Sequence, residues 1–569
     1  MAEERIGVYV CSCGTNIAKV VDVDAVAASA LAIPGVGIAR SYKYMCSNPG
    51  QEMILDDIRE HKLTRVVVAS CSPRMHEATF RAAIKRAGLN PYMLEMANIR
   101  EQCSWIHDDA VEATEKAIAL VHAAVERVKF DEPLESRTAP MCASTLVIGG
   151  GVAGLTAALE LADAGQQVFL VEKEKCLGGN VRRLNLTAPY LDSAPDLLQS
   201  WIARVERHPF IRLFLNSELI GLKGFNGNFK PSLRTGDGET LELDAGSVLV
   251  ATGFKEFDAA KIEQFGYGRL PNVITSFELE SMLRRGKLET KSGRQPRNVS
   301  IIHCVGSRSE QFHSYCSRVC CATALKYALE IKSALPDAHV ANLYTDMEAF
   351  GKGCEEFYRK CSEAKTSFLM YAKNQLPTIR QAAAKDGCEM LVTIKEQLSG
   401  EEIEMPADLV VLMVGMEPRE DSEKVARLVN ISRDKAGWFT ESHPKLDPVA
   451  TTTDGVYIAG ACQFPKDIPE SVIQSRAAVA RILAKVAQGE INVDAVYSEV
   501  QEKLCAGCGT CFSVCPYGAI EIDEQKHVSR INSAVCKACG CCAAGCPSGA
   551  IKVRHFTDEQ IFAQIEGVL

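Results

Sequence analysis

The chain has 569 residues, of which 47% are hydrophobic and 24% charged, as in ordinary globular proteins with several domains. Its net charge of -9 argues against a nucleic-acid partner. No apolar run is long enough to span a membrane, and Met1-Ala2-Glu3-Glu4-Arg5 leads into a strand-like run rather than an export signal, so we expect a cytoplasmic protein.

The chain contains 24 cysteines, and most of them fall in groups. In a chain without an export signal, grouped cysteines favour metal ligation over disulfides. Thiolates that solvent reaches are easily oxidised, so this composition predicts a reducing, anaerobic setting.

Residues 1–130 are predicted to form a small α/β domain. The runs Ile6–Val10, Val36–Tyr44 and Arg65–Ser70 are typical of strands, and cysteines follow each of them. Ligands in open α/β sheets sit at the carboxyl ends of strands, so four of five thiols are expected to bind one [4Fe–4S] cluster. The alternative is that all five are small buried hydrophobic residues. The five are Cys11, Cys13, Cys46, Cys71 and Cys103, and the choice between Cys11 and Cys13 stays open.

A G-x-G-x-x-G turn follows the linker Asp131–Pro140 and lies between a strand and a helix. Gly149 makes the tight turn, Gly151 admits a pyrophosphate, and Gly154 lets the helix pack on the sheet. Glu172 ends the next strand, where it can accept hydrogen bonds from an adenosine ribose.

Two later segments, Val248–Gly253 and Asp454–Ala461, favour FAD over NAD. They resemble the FAD-contacting segments of the two-dinucleotide-domain disulfide reductases, including thioredoxin reductase. In that family an Asp usually follows the last glycine, and here the residue is Ala461. Residues 142–294 and 401–490 are predicted to form the FAD domain. Its expected contacts are Gly149, Gly151, Val152, Ala153, Gly154, Glu172, Lys173, Gly179, Ala251, Thr252, Gly253, Gly460, Ala461 and Lys466.

Residues 295–400 occupy the position of the NADPH domain in those reductases. The strand Val299–Ile302 is present, but the glycine loop that should follow it is missing. Four cysteines stand there instead, three of them at the start of a helix, where thiolates are favoured. A redox disulfide would need a C-x2-C pair, which is absent. We expect a [4Fe–4S] cluster on Cys304, Cys316, Cys320 and Cys321.

Residues 500–556 contain the C-x2-C-x2-C-x3-C-P pattern twice. This is the ligand pattern of a ferredoxin with two [4Fe–4S] clusters, in which the fourth cysteine of each run binds the other cluster. Paired zinc sites are the alternative, but their usual separated C-x2-C pairs fit poorly. The predicted ligands are Cys505, Cys508, Cys511 and Cys546 for one cluster, and Cys536, Cys539, Cys542 and Cys515 for the other.

At these residues the chain resembles the A-type subunit of heterodisulfide reductase, which carries FAD and iron–sulfur clusters in anaerobes. The matching stretches are C-S-C-G-T-N-I, Y-K-Y-M-C-S, C-S-P-R-M-H-E, A-N-I-R-E-Q-C-S-W, Y-C-S-R-V-C-C, F-G-K-G-C-E-E-F-Y and A-C-Q-F-P-K-D-I-P-E. The chain lacks the extra ferredoxin insertion of the long form, so four clusters are expected. Short homologues also resemble subunits of benzoyl-CoA reductase complexes.

The resemblance implies an α/β fold like that of thioredoxin reductase, with an N-terminal α/β iron–sulfur domain and a C-terminal α+β ferredoxin domain. It also implies electron transfer between FAD and clusters, by flavin-based bifurcation or confurcation. The expected partners are other redox subunits, ferredoxin, or a hydrogenase or dehydrogenase module, around a homodimer. Alternatives are a self-contained NAD(P)H-dependent disulfide reductase and an iron–sulfur scaffold without turnover.

Two side chains are candidates for acting on the flavin. Lys466 lies in a proline-stiffened loop that passes beside the ring in related reductases, where a cation tunes the flavin. Glu278 is the candidate for the opposite side. The alternative for Lys466 is a solvated lysine paired with Asp467 or Glu470.

Overall fold

The computed structural model describes residues 5–383 and 388–569, and these form two compact units. Unit 1 consists of Met1–Thr138 and Asn492–Leu569, and unit 2 of Ala139–Ile491. Met1–Glu4, at the start of the predicted N-terminal domain, and residues 384–387, in the predicted middle domain, lie outside the described residues.

The N-terminal part of unit 1 is built on a four-stranded parallel sheet with strand order β2-β1-β3-β4. Its central strands are buried over nearly their whole length, as expected of parallel strands covered on both faces. The elements are β1 (Ile6–Cys11), α1 (Val23–Leu31), β2 (Val36–Tyr42), α2 (Asn48–Glu60), β3 (Arg65–Ser70), α3 (Pro73–Arg86), β4 (Leu94–Asn98), a π-helical turn (Arg100–Ser104) and α4 (Ala110–Val128).

Unit 2 begins with a five-stranded parallel sheet of order β23-β12-β6-β7-β8. Helix α5 is almost entirely buried, because α11 and the sheet share one apolar core with it. In chain order the first elements are β5 (Arg137–Pro140), β6 (Ser144–Ile148), α5 (Val152–Asp163), β7 (Gln167–Val171), α6 (Ala194–Arg207), β8 (Ile211–Phe214), β9 (Glu218–Phe225), β10 (Asn228–Arg234), β11 (Thr240–Glu242), β12 (Ser247–Val250) and β13 (Phe254–Glu256).

A second parallel sheet in unit 2 has the order β14-β21-β15-β16-β17, and the antiparallel strands β18, β19 and β20 form a separate sheet. These elements are β14 (Val273–Thr275), α7 (Ser276–Arg284), β15 (Asn298–Val305), α8 (Cys320–Ala334), β16 (His339–Tyr344), α9 (Cys354–Glu363), β17 (Ser367–Met370), β18 (Thr378–Gln381), β19 (Met390–Lys395), β20 (Glu402–Ala407) and β21 (Leu409–Val414).

This second sheet corrects two predicted boundaries. The sequence division placed 142–294 and 401–490 in the FAD domain, but β14 and β21 pair within the sheet of the middle domain. Strand β14 has three residues, too few for a recognisable apolar pattern, and hydrogen bonding to a distant strand decides where it belongs. The remaining elements of unit 2 are β22 (Met416–Pro418), α10 (Ser422–Val429), β23 (Val456–Ile458), α11 (Ile468–Val486) and β24 (Glu490–Val493).

The C-terminal part of unit 1 consists of two short antiparallel pairs, β25 with β28 and β26 with β27. The strand β25 begins at Ser498, slightly before the predicted start at 500. The elements are β25 (Ser498–Val500), α12 (Thr510–Val514), β26 (Ile520–Asp523), β27 (Val528–Ile531), α13 (Cys541–Ala544), β28 (Ile551–Val553) and α14 (Asp558–Glu566).

Within unit 1, a buried group of charges joins this C-terminal part to the N-terminal sheet. Arg127 lies 3.0 Å from Glu95 and donates to the carbonyl of His555 at 2.9 Å. His555 lies 3.3 Å from Glu95, and Asp131 accepts a hydrogen bond from Gln560 at 2.8 Å. Burial raises the pKa of Asp131 to about 7, with Glu95 adding to the rise. The predicted first and last domains therefore share one compact unit.

Candidate functional site

The glycine turn after β6 leaves no room for side chains at Gly149 and Gly154. Gly149 has a φ of +108°, and a Cβ there would lie 2.4 Å from the carbonyl oxygen of Ala251. A Cβ on Gly154 would lie 1.8 Å from the carbonyl oxygen of Gly149. The predicted roles of these two glycines, a tight turn and close helix packing, are consistent with these contacts.

Glu172, the residue after β7, is buried and binds the backbone of the glycine turn through its carboxylate. Its carboxylate accepts hydrogen bonds from the backbone N–H groups of Gly150 at 2.7 Å and Glu174 at 2.8 Å. Each carboxylate oxygen keeps a further lone pair, so these bonds leave acceptor capacity for a ribose.

A cavity of about 570 Å³ opens at this turn, and most of the residues predicted to contact FAD line it. Gly154 and Gly460 do not line the cavity but allow close packing next to it. A Cβ on Gly460 would lie 2.7 Å from the Cβ of Ala153, which does line the cavity. The predicted residues in the lining are Gly149, Gly151, Val152, Ala153, Glu172, Lys173, Gly179, Ala251, Thr252, Gly253, Ala461 and Lys466.

The start of α11 also lines the cavity, next to Ala461, which supplies no carboxylate. Asp467 is the N-cap and accepts from the N–H of Glu470 at 2.7 Å, while Glu470 accepts from the N–H of Asp467 at 3.2 Å. This reciprocal capping box fixes the helix start. Burial raises the pKa of Asp467. Because Pro469 has no N–H and the capping box uses those of Asp467 and Glu470, what this helix end offers to an anionic or polar group is the positive end of its dipole rather than a row of free donors.

Lys466 lies inside the cavity wall rather than on a solvated surface. Its Nζ donates to the side chain of Gln463 at 2.9 Å and to the carbonyl of Phe464 at 3.4 Å. Glu470, its predicted partner in the alternative interpretation, pairs with Arg318 instead. Burial lowers the pKa of Lys466, and the nearby Cys462 opposes that effect.

Glu278 is not among the residues that line the cavity. It is the third residue of α7, and its carboxylate accepts from the N–H of Thr275 at 2.7 Å in a capping box. This contact gives Glu278 a structural role at a helix start. The pattern Thr275-Ser276-Phe277-Glu278 is also the sequence signature of such a box. This signature indicates that Glu278 caps the helix rather than acts on the flavin.

The four predicted thiols of the middle domain lie together at the end of β15 and the start of α8. Cys304 has a φ of +57°, and the strand register shifts between Ile302 and Val305, on either side of it. Burial raises the pKa of Cys320 well above its usual value and that of Cys321 to about 12, and neighbouring thiols, including Cys304 and Cys316, add to both shifts. Four converging thiols fit a metal cluster, which would remove their protons on binding.

The end of β16 closes this thiol group. Thr345 Oγ1 lies 3.7 Å from Cys304 Sγ, and the N–H of Glu348 donates to Cys321 Sγ at 3.4 Å. Cys320 also lines the large cavity, as do Arg318 and Val319 beside it. The thiol group and the predicted flavin site therefore share a wall.

Sequence reasoning missed two cationic residues of this wall, Arg318 and Lys326. Lys326 is buried, pairs with Glu280, lies 3.6 Å from Glu330 and donates to the carbonyl of Leu186 at 3.0 Å. The signal in the sequence is a lysine and a glutamate four residues apart in an otherwise apolar helix. Arg318 carries no comparable signal.

The N-terminal thiols separate into a group of four and one other. Cys13 N–H and Met45 N–H both donate to Cys11 Sγ, at 3.3 and 3.4 Å. Burial raises the pKa of Cys71 to about 11, and the thiols of Cys11 and Cys13 add to the rise. Burial also raises the pKa of Cys46, and the thiol of Cys13 adds to that rise.

Cys103 packs with Val8 and Val10 on one face of the sheet, whereas Cys11 packs with Tyr9 and Val68 on the other. The structure thus brings together Cys11, Cys13, Cys46 and Cys71, and leaves Cys103 in the apolar core. Cys11 and Cys13, between which the sequence left the choice open, therefore lie in the same group. The alternation of side chains along a strand does not predict this grouping, because Cys11 is the last residue of β1 and Cys13 lies beyond the strand.

The two C-terminal runs of cysteines have matching surroundings at their first thiols. Ser498 N–H donates to Cys536 Sγ at 3.4 Å, and Ser529 N–H donates to Cys505 Sγ at 3.5 Å. Cys508 and Cys546 interact electrostatically, although they come from different runs. Cys542 also interacts electrostatically with Cys536 and Cys539 of its own run. The remaining predicted ligands are Cys511, which is buried, and Cys515, which is half-buried.

Comparison with known proteins agrees with this geometry. Residues 143–302 match the pyridine nucleotide-disulphide oxidoreductase family model, and residues 504–550 match the 4Fe-4S dicluster domain. The second of two A-type iron-sulfur subunits of CoB--CoM heterodisulfide reductase from Methanopyrus kandleri is 42% identical over 654 residues, covering 100% of this chain and 99% of that protein. This chain belongs to the family of heterodisulfide reductase A-type subunits.

A second member, the A-type subunit of the H(2):CoB-CoM heterodisulfide,ferredoxin reductase from Methanothermobacter thermautotrophicus, is 40% identical over 656 residues, covering 100% of this chain and 98% of that protein. A solved thioredoxin reductase from T. acidophilum is 18% identical to this chain, with a TM-score of 0.42. The match covers 61% of this chain and 99% of the reductase.

The predicted family and fold class are confirmed by these matches. As a member of this heterodisulfide reductase family, the chain is an FAD and [4Fe–4S] electron-transfer subunit of an oxidoreductase complex. The alignment with the M. kandleri protein has 654 positions against 569 residues here, so at least 85 positions (654 − 569) have no counterpart in this chain. Among the described residues, no helix is both long and apolar enough to cross a membrane.

Two alanine substitutions separate the roles of the turn glycines. Gly151→Ala should leave the fold intact but weaken FAD binding at least about tenfold, because its Cβ meets only Gly179, 4.0 Å away across the cavity lining. Gly154→Ala should instead lower thermal stability, because its Cβ would collide with the Gly149 carbonyl.

Thermal unfolding and FAD fluorescence titration measure the two effects. Gly37→Ala is the control for an added Cβ alone, because that Cβ meets no atom within 4 Å and Gly37, like Gly151 and Gly154, has no positive φ. Normal FAD affinity in Gly151→Ala would contradict the assignment of this turn to the pyrophosphate.

Proposed function

We propose that this chain passes electrons between FAD and four [4Fe–4S] clusters and works inside a complex of redox subunits. The observation that supports it most is the shared wall of unit 2, where Cys320 lines the same cavity as the glycine turn. When bound, FAD exchanges two electrons as a pair or singly, and clusters accept them singly. A thiol group at the flavin cavity is the arrangement such an exchange needs.

The cluster ligands follow from the thiol groups. Cys304, Cys316, Cys320 and Cys321 would hold the cluster beside the flavin, and Cys11, Cys13, Cys46 and Cys71 the N-terminal one. The two ferredoxin clusters would take the predicted crossed sets, to which the proximity of Cys508 and Cys546 lends support.

Lys466 would place a positive charge beside the flavin ring. A cation there favours the extra negative charge that reduction adds, which makes the flavin easier to reduce. Its burial and its two hydrogen bonds hold the amine in place. Glu278 is not included, because its carboxylate caps α7.

The competing function, a self-contained NAD(P)H-dependent disulfide reductase, needs a glycine loop after β15 to approach a pyrophosphate. His303 and Cys304 still belong to β15, and the strand is followed by a single glycine, Gly306, and then by Ser307 and Arg308. A Cβ on Gly306 would lie 2.3 Å from the ring of Phe257, so this glycine packs against an aromatic side chain. The second parallel sheet therefore favours a cluster over a nicotinamide.

The complex would resemble that of the relatives, whose names specify heterodisulfide and ferredoxin as reactants. For this chain we propose redox partner subunits, among them ferredoxin or a hydrogenase or dehydrogenase module. A homodimer in the cytoplasm, and bifurcation or confurcation at the flavin, complete the proposal. The resemblance to benzoyl-CoA reductase subunits stays a prediction.

Titration of the isolated, anaerobically purified chain tests the function. NADPH should leave the flavin absorbance unchanged, because the nucleotide has no glycine loop to bind. Reduced ferredoxin should bleach it through the clusters. Stoichiometric bleaching by NADPH alone would refute the proposal in favour of the disulfide reductase.

Iron content tests the ligand sets. The intact chain should hold about 16 iron atoms, at four per cluster, with one FAD. Cys71→Ser should lower this to about 12 by opening the N-terminal site, whereas Cys103→Ser should leave about 16, since Cys103 lies in the apolar core.

Anaerobic iron and sulfide assays measure both variants. About eight iron atoms in the intact chain would leave only the ferredoxin clusters and refute the other two sites. Loss of four irons from Cys103→Ser, with none lost from Cys71→Ser, would reverse the N-terminal ligand choice.

Substitution of Lys466 tests its charge. With FAD and iron content unchanged, Lys466→Ala should lower the two-electron midpoint potential of the flavin by at least about 30 mV, equivalent to about 1.4 kcal/mol. Lys173→Ala, which removes a lysine of the same cavity paired with Asp421, should change FAD affinity but not the potential. An unchanged potential in Lys466→Ala would show that the charge of Lys466 does not act on the flavin.

A further inference from the structure

Arg318 lies between two of the proposed cluster ligands and has an unusual backbone conformation. Its φ is +63°, and its N–H donates to Cys316 Sγ at 3.2 Å. A non-glycine residue in this left-handed region costs free energy and persists only where the surroundings hold it. The conformation of Arg318 therefore depends on how the thiol loop is held.

The side chain of Arg318 reaches away from the thiols to another segment. Its guanidinium donates to the carbonyl of Pro465 at 3.1 Å and to the carboxylate of Glu470 at 2.5 Å. Its central carbon lies 5.1 Å from the centre of the Phe350 ring. The planar, forked guanidinium suits two acceptors at once, and lysine would not reproduce that geometry fully.

Both acceptors belong to the segment that lines the predicted flavin site. Pro465 precedes Lys466, and Glu470 completes the capping box with Asp467 at the start of α11. Lys466, Asp467 and Glu470 all line the cavity. One side chain thus links the thiol loop to the loop and helix start that would contact the flavin.

We propose that Arg318 is a positioning residue that makes FAD affinity depend on whether the Cys304, Cys316, Cys320 and Cys321 site holds its cluster. This inference rests on the proposed function, which assigns a cluster to those thiols. An occupied site keeps the loop in the conformation that presents the guanidinium. Without the cluster the loop can change its conformation, and the start of α11 then loses the hydrogen bonds that Arg318 donates to Pro465 and Glu470. By linkage, bound FAD stabilises the loaded cluster site to the same extent.

A double-mutant cycle on FAD affinity tests the coupling, with the dissociation constant measured by FAD fluorescence in the full chain. Cys321→Ser should empty the site, remove four irons and weaken FAD binding by about tenfold, the loss expected for one partly buried charged hydrogen bond. Arg318→Ala should weaken it similarly while the iron content stays unchanged. The double variant should be no weaker than either single variant.

Two further variants and a control extend the test, and Glu470→Gln keeps it independent of folding in the thiol loop, because Glu470 lies in α11. Glu470→Gln removes the charge that Arg318 binds but keeps an acceptor for the capping box, so it should also abolish the effect of Cys321→Ser. Arg318→Lys should restore part of the affinity. Arg183→Ala, which removes another cavity-lining arginine, one paired with Glu256, is the control and should be additive with Cys321→Ser.

The outcomes separate this inference from the proposed function. If Cys321→Ser removes no iron, the cluster assignment fails and the coupling fails with it. If it removes four irons but FAD affinity stays the same, the cluster stands and the coupling alone is overturned. Additive losses in the Arg318→Ala, Cys321→Ser double variant, or undiminished coupling in Glu470→Gln, would also overturn it.

Discussion

The carboxyl ends of parallel strands are the feature on which every predicted site outside the ferredoxin part depends. In a parallel sheet all strands end at the same edge, so short loops after separate strands meet there. The thiols after β1, β2 and β3 meet in this way in unit 1. In unit 2 the glycine turn follows β6, Glu172 follows β7, and Cys304 is the last residue but one of β15. The chemistry differs between these edges, but the geometry that assembles it is the same.

Two parallel sheets in unit 2 let a flavin cavity and a thiol group share one wall. Helix α8 begins with Cys320 and Cys321, so the helix that would follow a glycine loop in a nucleotide-binding sheet starts with thiols instead. Burial keeps these thiols protonated, since it raises their pKa values. Metal binding reverses this preference, because ligation requires thiolates and releases the protons. The site is therefore suited to a metal cluster more than to a free redox disulfide.

The ferredoxin part follows a different principle, local repetition. Each run of cysteines contains a glycine with a positive φ directly before a short helix, Gly509 in one and Gly540 in the other. Each run also has a serine on a partner strand, Ser529 or Ser498, whose N–H donates to the first thiol. Such N–H groups stabilise a thiolate. Because the arrangement is repeated, the first thiols of the two runs have equivalent surroundings.

The sequence alone determined the parts of this protein that depend on short-range patterns. The ferredoxin spacing, the glycine turn with Glu172, and the strands and helices that flank them are all contained within short contiguous stretches of chain. Family membership also came from contiguous stretches. Only the tertiary structure decided the features that combine distant segments. It placed Cys103 on the opposite face of the sheet from Cys11, and it brought Arg318 to Glu470, 152 residues away. It also assigned the three-residue strand β14 to the second sheet. Those outcomes depend on which face a side chain takes and which strands pair, and packing between distant segments sets both.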